Sequence, residues 1–287
     1  MQQLLQPFQF EFFRNGLLAA VMVGGLCGLI GVYVVLRGMS YIGHGLSHAV
    51  FGGAVLSYVM QWNFYIGAGL WGFAAALLIN QTARRYRIGA DAAIGIVTTA
   101  SFAVGVALIS RVRKFTTNFE AALFGNVLGV TTGDIAVIAL VTALTVAVIV
   151  FFYKELLFVT FDRDVAYVYG VRVEWVDTLL SLILAAAIIA SMQTLGVTLI
   201  AAAIVIPPII ARLLSDDFGK MMIGSAAVGA ISAALGMYLS FLLDVASGAA
   251  IVLVAALSFV AALVARSVRR RTRAEPLVSV HASELFE

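Results

Sequence analysis

The 287-residue chain is 62% apolar and only 11% charged, with a formal net charge of +3. Soluble domains are usually about 45–50% apolar and about 25% charged, so no soluble fold of this length could bury so much apolar surface. The composition therefore predicts an all-α, polytopic membrane protein whose excess apolar surface is covered by lipid. The basic residues lie at the ends of apolar runs, as topology signals do, which excludes nucleic acid as the expected ligand.

The first half of the chain predicts four helices. Residues 15–36 carry no charge and are long enough to cross a hydrocarbon core of about 30 Å. Residues 38–83 also lack charge but are too long for one span, so we expect a break at Gln61-Trp62-Asn63. The third helix should end near residue 84, and the fourth should run from about 91 to 110.

The second half predicts the remaining helices and brings the total to eight or nine spans. Its predicted segments are a short or re-entrant helix within 115–132, a span over 135–153, a polar stretch at 154–177, a helical hairpin that turns near 193–196, and spans over 221–243 and 245–265. Pro207 and Pro208 lie in the second arm of the hairpin, where they should kink the helix and free backbone carbonyls. A membrane tolerates this only where neighbouring helices or a cavity satisfy the freed groups.

The arginines predict the orientation. The cluster after residue 265 and the run Arg84-Arg85-Tyr86-Arg87 are expected on the cytoplasmic side. Alternation then places 154–177 and 212–220 on the same side. Nine spans would put the N-terminus outside, and the sequence alone leaves open whether there are eight or nine.

The sharpest chemical feature is a pair of histidines, His44 and His48, in the otherwise charge-free second helix. Residues four apart share one helix face, with Cβ atoms about 5–6 Å apart. Two imidazoles so placed can bind one metal ion at about 2.0–2.1 Å each, although a second protomer, another helix or water must supply further ligands. The alternative interpretation is that both rings merely donate hydrogen bonds to carbonyl groups of neighbouring helices.

A second feature is the segment 161–170 within the polar stretch. Asp162 can cap a short helix, because its carboxylate accepts hydrogen bonds from the first backbone N–H groups. Gly170 can end that helix in a left-handed conformation. Such a two-turn helix is either a docking element or a simple connector, and the pattern itself does not decide between them.

Several motifs are absent from the sequence. There is no G-x-x-x-x-G-K-[ST] motif for ATP hydrolysis and no G-x-S-x-G nucleophile elbow, so no catalytic residue is predicted. A secondary metal transporter that needs no ATPase would require paired acids and bases in the spans, and none is found. An intramembrane hydrolase using Ser40 or Ser47 with a histidine would lack an orienting acid.

Four segments, in this order along the chain, resemble the metal-type ABC-transporter permeases, which import zinc, manganese or iron. They are residues 31–49 around the histidine pair, Glu120–Gly125, Phe161–Gly170, and Leu195–Arg212 with its prolines. The resemblance covers roughly residues 5–265. It implies a homodimeric bundle similar to type II ABC importer permeases.

The resemblance also assigns roles to particular residues. The metal-lining pair of this family is usually an acidic residue and a histidine four apart; His48 matches the histidine, and His44 stands where many members have aspartate. Imidazole suits zinc and carboxylate suits manganese better, so the metal stays open among manganese, zinc and iron. The resemblance further implies that Asp162, Ala166, Tyr167 and Gly170 form an ATPase-coupling helix and that Pro207 and Pro208 serve gating.

The implied partners are a second permease copy, a cytoplasmic ABC ATPase dimer and an extracytoplasmic metal-binding protein. The chain would then be a translocation subunit rather than an enzyme, in the plasma membrane of a prokaryote, with a transported divalent metal and no permanently bound cofactor. The permease domain would span residues 1–267, with a coupling segment at about 154–175. A polar cytoplasmic tail would follow at 268–287.

Overall fold

The computed structural model is all-helical and describes residues 6–85, 90–111, 125 and 127–273. Eleven α-helices lie in these residues: α1 (Glu11–Leu36), α2 (Ser40–Val59), α3 (Phe64–Arg85), α4 (Ala90–Arg111), α5 (Thr132–Phe151), α6 (Tyr153–Phe161), α7 (Arg163–Val168), α8 (Val173–Leu195), α9 (Ile200–Leu214), α10 (Phe218–Leu243) and α11 (Ser247–Arg273). Short 3₁₀ turns at Gln6–Gln9 and Val127–Gly129 accompany them.

Seven of the described helices are long and apolar enough to cross a membrane, namely α1, α3, α4, α5, α8, α10 and α11. The 20-residue α2 is not among them, because its histidines, serines and glycines lower its hydropathy. The apolar α9 has only 15 residues. The expected total of eight or nine spans therefore stays a prediction that depends on α2 and α9.

The predicted helix boundaries are largely confirmed. The break at 61–63 separates α2 from α3, and Gln61 turns the chain with a φ of 56°. The hairpin turn follows Leu195, where Gly196 adopts a φ of 76°. The final helix continues to Arg273, past the predicted domain boundary at 267. Most of the expected short or re-entrant helix within 115–132 lies outside the described residues.

The centre of the bundle is formed by α1 and α8, the two most buried of the seven spans. Helix α1 packs most extensively against α10 and also contacts α9, α5 and α8. At the crossing with α10, a methyl group on Gly24 would overlap the backbone of Gly229, and one on Gly28 would overlap the backbone of Ser225. The small-residue spacing in α1 therefore lets two helix backbones meet.

Ala226, Ala230 and Ala234 form a ladder of small residues along α10, a pattern that favours tight helix packing. These alanines are only half-buried, and the closest approach to α1 is made one residue earlier, at Ser225 and Gly229. Ser225 also donates a hydrogen bond of 2.6 Å from its hydroxyl to the Gly28 carbonyl. Gly229 has no side chain and the Ser225 hydroxyl bonds the opposite backbone, so these two residues form a closer contact than the alanines do.

Helix α9 continues through both prolines, and both are buried. A proline cannot donate to the carbonyl four residues earlier, so Pro208 leaves the Ile204 carbonyl without its helical partner. Gly31 of α1 packs directly on that carbonyl, where a methyl group would overlap it. A neighbouring helix thus packs against the freed group. The gating role of Pro207 and Pro208 stays a prediction.

Two groups of polar contacts mark opposite ends of the bundle. At one end, which we call the arginine end, Arg37, Thr160, Arg163 and Asp177 are joined by hydrogen bonds. The ring of Phe218 meets that of Phe161 at a centroid distance of 5.9 Å, so the α9–α10 turn lies at this end too. At the other end, the Tyr65 hydroxyl donates a 2.6 Å hydrogen bond to buried Asp134 at the start of α5.

Candidate functional site

The two histidines predicted from their spacing lie side by side on α2. Their ring centroids are 4.6 Å apart and their planes are inclined at 74°. Helix α2 begins at the arginine end, so His44 and His48 lie about 6 Å and about 12 Å along a helix about 30 Å long. Both side chains are half-buried, which places them at a protein surface rather than deep in the core.

A cavity of about 200 Å³ opens beside the histidine pair. Tyr41 and Gly45 of α2 line it together with the histidines, while Thr98, Thr99 and Phe102 of α4 form the opposite wall. Phe102 packs edge-on against His48 with centroids 5.2 Å apart. Tyr41 and Thr99 are exposed, so the cavity is open to the outside of this chain.

Small residues of α2 bring α4 close enough to form this wall. A methyl group on Gly45 would overlap Ile94 and Thr98, and one on Gly52 would overlap the backbone at Ser101. Gly45 and Gly52 are seven residues apart, two helical turns, and therefore lie on one face of α2. The histidines occupy the adjoining face of α2 and line the cavity between α2 and α4.

The imidazoles make no hydrogen bond with any residue in the described ranges, and they pack against each other and against the rings of Tyr41 and Phe102. The alternative of rings donating to helix carbonyls therefore finds no support in that part of the chain. Within the same ranges, no group of three or more His, Cys, Asp and Glu side chains comes together. A metal ion bound here would need ligands beyond one copy's described residues.

Sequence reasoning missed the wall contributed by α4. Thr98 and Thr99 are adjacent hydroxyl residues near the middle of a predominantly apolar helix, which is the signal that could have drawn attention to them. The Thr98 hydroxyl donates to the Ile94 carbonyl at 2.7 Å, so it is oriented by its own helix. Without tertiary contacts, nothing in the sequence pairs these threonines with histidines in another helix.

The second predicted element, helix α7, is formed as its sequence indicates. The Asp162 carboxylate accepts hydrogen bonds from the backbone N–H groups of Asp164 and Val165 at 3.1 and 2.9 Å. Gly170 has a φ of 79°, and the N–H groups of Gly170 and Val171 bond back to the carbonyls of Tyr167 and Ala166. This is the Schellman pattern, so α7 is capped at both ends.

Helix α7 presents an exposed aromatic surface. The side chains of Tyr167, Val168 and Tyr169 are 75–80% exposed. An open cleft of about 760 Å³ separates α7 from the start of α8. Ala166, by contrast, is fully buried, so it holds the helix against the bundle and does not lie on the exposed surface.

Next to α7, a largely buried ion pair joins distant parts of the chain. Arg37, at the end of α1, places its Nη1 atom 2.8 Å from Oδ1 of Asp177 in the first turns of α8. Its Nε donates to the Thr160 hydroxyl of α6 at 3.0 Å. Burial lowers the pKa of the Arg37 guanidinium and the neighbouring Asp177 carboxylate opposes that shift.

These features define a class: a polytopic helical membrane protein with a paired-histidine cavity in the bundle and an exposed capped helix at one end. Residues 9–266 match the ABC 3 transport family. The chain therefore belongs to the ABC 3 transport family, and it is a multi-pass protein of a prokaryotic plasma membrane.

Relatives and a solved structure agree with this assignment. The manganese transport system membrane protein MntC of Listeria monocytogenes is 40% identical over 251 residues, covering 88% of this chain and 89% of that protein. The chelated iron transport system membrane protein YfeC of Yersinia pestis is 33% identical, covering 91% and 89%. The structure of PsaBC from Streptococcus pneumoniae in complex with Fab superposes with a TM-score of 0.83 at 33% identity, covering 91% of this chain and 95% of that one.

Proposed function

We propose that this chain is the permease subunit of an ABC importer that carries manganese, zinc or iron into the cell. The observation that carries the proposal is the half-buried His44–His48 pair, four residues apart on α2, facing an open cavity beside α4. Imidazole groups bind divalent transition metals, and polar groups inside a membrane span usually mark a transport path. The names of the relatives, which describe manganese and iron transport, support the same substrate class.

The incomplete ligand set fits transport better than storage. Conduction requires an ion to bind strongly enough to enter and weakly enough to leave. A pair of imidazoles on one protomer supplies only part of a tetrahedral ligand set. We infer that a second copy of the permease faces the open side of the cavity, so that two histidine pairs line one path about a two-fold axis.

The energy source is proposed to be a separate ABC ATPase dimer that docks on α7. This chain has no phosphate-binding loop of its own. The exposed aromatic surface of α7 and the cleft beside it form a docking site of the size a partner helix or loop would fill. We infer that this end of the bundle is cytoplasmic and that an extracytoplasmic metal-binding protein delivers the ion to the opposite end.

Uptake into proteoliposomes tests this function. The permease is reconstituted with its ATPase, Mg-ATP is supplied to the face bearing α7, and Mn²⁺, Zn²⁺ or Fe²⁺ is supplied with the binding protein at the other face. We expect metal uptake that depends on ATP hydrolysis. Uptake that proceeds equally without ATP and follows an imposed ion gradient would instead support a secondary transporter.

Truncating the α7 surface should separate the permease from its ATPase. Tyr167→Ala removes an exposed ring, and Asp162→Ala removes an N-cap worth about 1 kcal/mol of helix stability. We expect both variants to fold but to lose most ATPase during co-purification. Trp62→Ala, an exposed aromatic at the opposite end, serves as the matched control. Unchanged co-purification of both α7 variants would contradict the assigned docking role.

A further inference from the structure

Asp177 accepts hydrogen bonds from two arginines that belong to different elements. Arg37 of the α1–α2 turn donates from Nη1 to Oδ1 at 2.8 Å. Arg163, the first residue of α7, donates from Nη2 to Oδ2 at 2.5 Å and from Nη1 to Oδ1 at 3.4 Å. The carboxylate is therefore shared between the capped helix and the end of α1.

A short, hydrogen-bonded turn connects Arg37 directly to α2, the helix that carries the histidine pair. Gly38, with a φ of 67°, closes α1, and the N–H groups of Gly38 and Met39 bond back to the carbonyls of Val35 and Val34. This compact Schellman turn leads at once into α2, which begins at Ser40. His44 lies one turn further on, so a displacement of Arg37 would carry the start of its helix with it.

The two arms of the network differ in burial. The Arg37 side chain is 5% exposed, whereas that of Arg163 is 57% exposed. An exposed ion pair contributes little to stability, and a buried one often no more than apolar packing would. A contribution to stability therefore does not by itself explain why the Asp177 carboxylate binds two arginines.

Arg37 also has an unused donor. Its Nη2 atom is buried and has no hydrogen-bond partner within the part of the chain that the structure describes. A buried donor without a partner is costly. If Arg163 withdrew with α7, the released Oδ2 of Asp177 could turn to this Nη2 and form the bidentate pair that guanidinium and carboxylate favour.

We propose that Asp177 transmits movement of α7 to α2, the helix that carries the histidine pair. It would do so by switching the hydrogen bond of its Oδ2 atom from Arg163 to the unpartnered Nη2 of Arg37. This inference rests on the proposed function, because it takes α7 as the site on which the ATPase acts. This exchange would give the network the two discrete arrangements that coupling between sites requires. Asp177, Arg37 and Arg163 act as positioning residues and do not touch the metal.

The test uses the complete complex of permease, ATPase and binding protein in proteoliposomes. Three quantities are measured together: ATPase retained on co-purification, ATP hydrolysis rate and metal ions imported per ATP hydrolysed. The variants are Arg163→Gln, Arg163→Lys, Asp177→Asn and the double variant Arg163→Gln/Asp177→Asn. Asp216→Asn is the matched control, since Asp216 is an exposed aspartate at the same end.

Arg163 lines the docking cleft, so Arg163→Gln is compared on the complex that assembles, by metal imported per ATP hydrolysed, a ratio that weaker ATPase binding alone would not change. We expect metal imported per ATP to fall about fivefold or more, the range of ordinary coupling free energies. Arg163→Lys keeps the charge and should restore most of the coupling, which a purely steric role would not predict. The double variant should be no worse than Asp177→Asn alone, because both changes break one pathway.

Two outcomes would overturn the proposal. The first is a normal number of metal ions imported per ATP in Arg163→Gln. The second is an additive loss in the double variant, because it would mean that Arg163 acts independently of Asp177, for example on the ATPase itself. If Asp177→Asn fails to assemble, Arg163→Gln and Arg163→Lys still decide the question. Failure of the wild-type complex to import any metal would instead count against the proposed function.

Discussion

Replacing His48 by alanine is expected to abolish ATP-driven metal import while leaving the complex assembled and able to hydrolyse ATP. The ring faces an open cavity and makes no hydrogen bond with the described residues, so its loss should not unfold the bundle. Even outer-shell changes at metal sites cost about 10–100-fold in affinity, and loss of a ligand should cost at least as much. Uptake of radiolabelled or fluorescently detected metal in proteoliposomes measures the effect.

His44 gives a second and more specific version of the experiment. His44→Ala should reduce import in the same way, whereas His44→Asp keeps a ligand and exchanges imidazole for carboxylate. Carboxylate suits manganese better, so this variant should shift the preference from Zn²⁺ toward Mn²⁺ when both compete. His281→Ala, in the C-terminal residues, is the matched control. Normal transport and preference in both alanine variants would exclude the histidine pair as the metal site.

The largest effect on folding is expected at the crossing of α1 and α10. Gly24→Ala and Gly28→Ala would each push a methyl group into the backbone of α10, at Gly229 and Ser225. Overpacking usually costs about 1–3 kcal/mol, and the cost should be at or above that range here, because the overlap is with backbone that no rotamer change can relieve. We expect a lower melting temperature and poor recovery of monodisperse protein in detergent.

Gly25 provides the matched control for this prediction. It lies in the same helix, but a methyl group there would sit 3.8 Å from the Ala226 carbonyl, an ordinary contact. Since alanine is favoured over glycine within a helix by about 1 kcal/mol, Gly25→Ala should be neutral or stabilising. If all three variants melted alike, the close crossing of α1 and α10 would be refuted.

Much of the local structure could be predicted from the sequence, because local residues cause it. The charge-free runs specify helices, Gln61 and Gly196 end them, and Asp162 and Gly170 cap α7 through contacts within a few positions. The pairing of His44 with His48 follows from the helical repeat alone, and the 4.6 Å ring separation agrees with it. In each case the interacting groups lie within one or two turns of chain.

The remaining features depend on contacts that no local pattern encodes. Arg37 and Asp177 are 140 positions apart, and their pairing is decided by how α1 and α8 meet at the arginine end. Thr98 and Phe102 reach the histidines only because Gly45 lets α4 approach α2. The composition by itself predicted a helical membrane protein, and the four-residue spacing of His44 and His48 predicted the histidine pair. Only the packing of its helices decided which side chains share a cavity and which arginines share a carboxylate, because those choices depend on helix register rather than helix propensity.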